Sequence, residues 1–99
     1  MASDKEYLDY VIEQFGGFSG ITYRKMMGEY ILYFNGKIFG GIYDNRFMLK
    51  PYDCFINKIK NPVYELPYQG AKPMILVDDV DNRDFFDDLC NILVNIFRG

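Results

Sequence analysis

Two turn signals nine residues apart, Asn35-Gly36 and Asp44-Asn45, constrain this chain more than any other feature. A type I′ hairpin turn needs positive φ at both central residues, and Asn, Asp and Gly adopt that conformation at the least cost. The segments around these pairs are rich in Ile, Phe and Tyr, so residues 26–50 are expected to form a three-strand antiparallel meander. Two-residue loops set a register, and register assigns each side chain to a face. On that reckoning Ile31, Tyr33, Ile38, Ile42, Phe47 and Leu49 share the core face, with Gly40 among them where a helix backbone has room to approach. Tyr30, Leu32, Phe34, Phe39, Tyr43 and Met48 fall on the other face with Lys37, Arg46 and Lys50, which makes that face apolar and basic together.

Helices on one side complete the picture. Ser3 and Glu6 have capping-box spacing, and Tyr7, Leu8, Val11, Ile12 and Phe15 then recur at helical intervals until Gly16-Gly17. Ile21 to Met26 alternates as a strand, with Gly28 as a bend before the next one. Lys50-Pro51 closes the meander, and residues 52–59 suggest a short helix carrying Phe55, Ile56 and Ile59. Pro62, Pro67 and Pro73 keep residues 61–73 irregular, Met74 to Val77 reads as a short buried strand, and Asp81 is placed to cap a last helix with an apolar stripe from Phe85 to Phe97. The expected fold class is α+β, a two-layer domain with an antiparallel sheet built on the meander and N- and C-terminal helices packed on it, residues 1–99 forming one domain.

Composition narrows the chemistry. A net charge of −3 works against broad attraction to phosphate backbones or anionic lipid, and no apolar run reaches the length of a membrane span. Cys54 and Cys90 lack zinc spacing, and no basic-then-apolar leader precedes the first helix, so a soluble cytoplasmic protein with reduced thiols is expected. The absence of histidine removes Ser-His and Cys-His nucleophile activation and most zinc or iron sites. Asp78, Asp79, Asp81, Asp84, Asp87 and Asp88 fail the calcium-loop pattern, because Arg83 occupies a ligand position and the required Gly is missing; they read as acids at a helix N-terminus. Gly16-Gly17 and Gly40-Gly41 do not form a phosphate loop. No cofactor, no metal and no enzymatic activity are expected.

What remains is the aromatic and basic sheet face. A protein interface, either with another chain or as a homodimer, would use Tyr30, Phe34, Phe39, Tyr43, Arg46 and Met48, since Tyr, Phe, Met and Arg are enriched at interface cores. Single-stranded nucleic acid is the second possibility, with bases stacked on the aromatic rings and the cations on phosphates; the net acidity counts against it. A third is a ligand pocket or enzyme site of Arg24, Glu29, Tyr64, Glu65 and Tyr68 around the Pro-rich loop. The plain alternative is that the first helix or residues 61–73 cover the face within one chain.

The stretch "TYRKMMGEYILYFNGKIFGGIYDNRFMLKP", together with "YELPYQGAKPM", resembles the amino-terminal domain of the TfoX/Sxy competence regulators over nearly the whole chain. Its most specific parts are the turn Met26-Met27-Gly28, the meander, and Gly70-Ala71-Lys72-Pro73-Met74. The resemblance implies a two-layer domain broadly like secretion chaperones, no established enzymatic site, and a regulatory role in bacterial DNA-uptake competence. Better-known members carry a second, carboxy-terminal domain, whereas this chain ends at Gly99.

Overall fold

Both expected turns form, with φ of 49° and 86° at Asn35 and Gly36 and of 52° and 54° at Asp44 and Asn45. The computed structural model describes residues 3–97. Along the chain come α1 (Lys5–Gln14), β1 (Ile21–Met26), β2 (Glu29–Phe34), β3 (Lys37–Ile42), β4 (Phe47–Leu49), α2 (Asp53–Ile56), β5 (Val63–Glu65), β6 (Met74–Val77) and α3 (Arg83–Ile92), which widens into a π-helical turn at Leu93–Phe97. The strands form one six-stranded sheet in the order β1-β2-β3-β4-β6-β5. Every neighbouring pair is antiparallel. The meander thus has a fourth strand, β1, joined to β2 by a further two-residue turn in which Met27 and Gly28 take φ of 52° and 84°.

The fold class stands as an α+β two-layer arrangement, because the helices pack on one face of the sheet. Leu8, Val11 and Phe15 of the first helical segment, Phe55 of α2, and Phe86, Leu89, Leu93 and Phe97 from the C-terminal helix join the same buried cluster as Leu32, Phe39 and Phe47. Aromatic edges hold that cluster together: Phe15 meets Phe86 at 5.1 Å between centroids, Phe39 at 6.2 Å and Phe47 at 6.3 Å, all edge-on. Such pairs add roughly 0.5–1.5 kcal/mol each beyond simple burial.

One residue alters the face assignment. Tyr33 pairs with Ile38, but Leu32 pairs with Gly40, leaving Phe39 as the extra residue of a β-bulge. Tyr30, Leu32 and Phe34 therefore point into the core, while Ile31, Tyr33 and Ile38 point away from it, the reverse of the expectation from an unbroken ladder. Ile42, Phe47 and Leu49 lie beyond the bulge and face the core as expected. Gly40 admits the neighbouring strand rather than a helix, for an added Cβ would collide with the Met48 carbonyl oxygen.

Both helix caps also differ from expectation. Asp4, not Ser3, is the N-cap residue of α1 and makes no side-chain capping bond. Ser3 is drawn into the sheet instead, its hydroxyl donating to Glu29 Oε1 at 2.6 Å and accepting from the Asn45 amide at 3.0 Å. At α3 the cap is Asn82, whose side-chain oxygen accepts from the Phe85 amide at 3.0 Å, one residue later than Asp81.

Candidate functional site

With the helices gathered on the core face, the opposite face is shaped by its own strands and by residues 66–73. Gly41 makes the first contribution. A Cβ there would stand 2.6 Å from the Tyr43 ring, so its absence lets that ring fold back over the strand. Arg46, across the tight turn from Tyr43, makes the second. Its Nε donates to the Tyr43 carbonyl at 3.1 Å, Nη1 to Glu65 Oε1 at 2.7 Å, and Nη2 to the Pro67 carbonyl at 3.2 Å. A guanidinium can span three acceptors in this way because its donors are fixed in one plane. The result straps the Pro-rich segment to the hairpin and sets Tyr68 beside Tyr43, ring centroids 6.1 Å apart.

Between hairpin and segment lies a cleft of about 530 Å³. Ile31 and Ile38 supply apolar floor, Tyr43, Tyr52 and Tyr68 aromatic wall, and Lys50 and Lys72 the cations. The run Ala71-Lys72-Pro73-Met74 forms one side. Burial, reinforced by the nearby Tyr68, Glu29 and Tyr33, pushes the Tyr43 phenol above its ordinary value, which keeps it a neutral hydrogen-bond donor at physiological pH. Burial also raises the thiols of Cys54 and Cys90, so neither resembles an activated nucleophile.

The expected interaction surface is largely corrected by this geometry. Tyr30, Phe34 and Phe39 are buried in the core because of the bulge, and Met48, although it pairs with Gly41 and so lies on the outer face, is wholly buried as well. Tyr43 and Arg46 alone of the six stay partly exposed, and both shape the cleft. The expected ligand pocket is divided. Tyr68 lines the cleft, whereas Glu65 stands behind it as the partner of Arg46. Glu29 is occupied by Ser3 and by the Asp44 amide, Arg24 is exposed on β1, and Tyr64 is exposed on β5, so these three do not converge on the loop.

The motif residues have separate places. Met26, Met27 and Gly28 form the tip of the first hairpin, with Met27 96% exposed. Gly70, at φ 88°, turns the chain toward Lys72 and Pro73 in the cleft wall. Tyr52, Ile31 and Ile38 are cleft residues that sequence reasoning missed. The Gly40-Gly41 pair was the available signal, since mid-strand glycine often marks a bulge. Among the described residues no three Cys, Asp or Glu side chains are grouped to hold a metal ion, and no helix is long and apolar enough to cross a membrane.

The sequence profile of the TfoX N-terminal domain matches residues 13–86, a span containing all six strands and the entire cleft. The chain belongs to the TfoX N-terminal domain family. A protein of Spirochaeta aurantia described as "Uncharacterized 12.7 kDa protein in trpE 5′ region" is 38% identical over 93 residues, covering 93% of this chain and 81% of the relative. No solved structure matches. In this TfoX N-terminal domain the resemblance segment Gly70 to Met74 is thus also the segment that walls the cleft.

Proposed function

We propose that this domain is a non-enzymatic regulatory adaptor that works in the cytoplasm by binding a protein, with the outer-face cleft as its recognition surface. The carrying observation is the Arg46 strap, which holds the Pro-rich segment in place and brings Tyr43 and Tyr68 together over an apolar floor. Clustered tyrosines beside a partly buried arginine are a favoured composition for binding hot spots. Competence regulation is the role suggested by the resemblance to TfoX/Sxy proteins, and the partner is either another regulator or a second copy of the chain.

Purification of the tagged protein from its host at moderate salt, with bound proteins and nucleic acids both identified, tests this reading. A near-stoichiometric protein lost on Tyr43→Ala or Tyr68→Ala is expected. Retention of that protein by both variants would remove the cleft from the account. The tyrosine and lysine lining favours single-stranded nucleic acid as a second reading, which predicts recovery of nucleic acid with affinity falling steeply as salt rises.

A further inference from the structure

We infer that the occupant of the cleft is an acidic, extended segment of the partner polypeptide. This rests on the cleft being the recognition surface and adds its chemistry. The protein as a whole carries 14 acidic against 11 basic residues, yet the cleft lining includes Lys50 and Lys72 and no acid. Two carboxylates near the cleft are already engaged: Glu65 by Arg46 at 2.7 Å, and Glu29 by the Ser3 hydroxyl and the Asp44 amide. Neither cleft lysine is held in an ion pair: among the described residues the ion pairs are Lys5–Asp9 and Arg46–Glu65.

One of the two cleft lysines also stands beside the aromatic wall. The Lys50 ammonium lies 6.0 Å from the centroid of the Tyr52 ring, which is part of the cleft wall. An ammonium held against aromatic surface gives up part of its water, and a carboxylate arriving there completes its coordination. The walls suggest the backbone shape. Tyrosines alternating with Pro51, Pro67 and Pro73 make an aromatic-lined groove, the kind of surface on which extended segments lie flat. Nucleic acid fits less well, because two cations on a protein of net charge −3 neutralise few phosphates.

The test is selection of a displayed library of random twelve-residue peptides on the full chain and on a Lys50→Glu/Lys72→Glu variant, followed by titration calorimetry of the enriched peptides. The wild type is expected to enrich peptides combining Asp or Glu with Pro or aromatic residues. The variant should bind them roughly tenfold more weakly, as loss of two exposed ion pairs implies, and should itself enrich Lys- and Arg-bearing peptides. A reversed preference requires a folded cleft, so misfolding cannot imitate it. Neutral consensus peptides, no enrichment, or equal binding by the variant would overturn the inference, as would a twelve-nucleotide oligo(dT) that binds through the same lysines while peptides do not. The adaptor reading is judged separately: a protein partner lost on Tyr43→Ala but indifferent to the lysine reversal leaves the adaptor standing and removes only the acidic occupant.

Discussion

Hairpins β2-β3 and β3-β4 are closed by the same kind of two-residue turn, with positive φ at both central positions, yet their ladders differ. From the Asp44-Asn45 turn the ladder runs without interruption through Ile42↔Phe47, Gly41↔Met48 and Gly40↔Leu49. From Asn35-Gly36 it runs through two pairs, Phe34↔Lys37 and Tyr33↔Ile38, and then skips Phe39. A turn therefore dictates register only as far as packing agrees with it. Phe39 gains a site in the aromatic core, against Phe15 at 6.2 Å and Phe97 at 6.4 Å, and burying a ring of that size outweighs the interrupted ladder.

The contrast can be broken at its centre. Phe39→Ala is expected to lose about 3–5 kcal/mol of stability in urea unfolding, since it removes both the buried ring and the reason for the bulge. A loss below about 1 kcal/mol would mean that the bulge is held by something else. Gly40→Ala should cost roughly 1–3 kcal/mol through collision with the β4 backbone, with the shift seen in thermal melting. In the regular hairpin Asn45→Ala is expected to cost about 1–2 kcal/mol, from positive φ and from the lost bond to the Asp4 amide, whereas Asn45→Gly should retain the turn. Equal behaviour of the two variants would show that backbone conformation is not limiting there.

The smallest effect concerns pH. Tyr43, in the closing pair of the regular hairpin, has its phenol pKa raised above the ordinary 10.0, chiefly by burial. The folded state thus holds its proton more tightly than the unfolded chain. That contribution is fully present below pH 10 and is lost as pH rises through the folded value. Burial raises the Tyr7 phenol as well, so titration of phenolate absorbance in the near ultraviolet should show a late-titrating fraction that shrinks by one tyrosine in Tyr43→Phe; an unchanged late fraction in the variant would contradict the burial of this ring.

Much of the architecture was legible because it depends on local chemistry. Asn35-Gly36 and Asp44-Asn45 announce their turns, and Leu8, Val11 and Phe15 announce a helical core face. The sheet order around β6, by contrast, depends on pairing between distant strands, which no local pattern records. For the site, Tyr43, Arg46 and Tyr68 could be named but not grouped correctly. Their grouping depends on one bulged residue and on an arginine that reaches from position 46 to positions 65 and 67, a contact visible only once the chain is folded.

The strand order has a consequence for synthesis. Strand β6 lies between β4 and β5, although β5 precedes it in the chain. On a ribosome the meander can close as soon as its four strands have emerged, while the apolar edge Phe47-Met48-Leu49 waits for a neighbour that ends at Val77, 28 residues beyond Leu49 (77 − 49). At roughly 5–20 residues per second that edge stands open for about 1–6 s in every nascent chain, an interval in which unpaired strands seek other chains. Demand for chaperones during translation should therefore centre on those three residues.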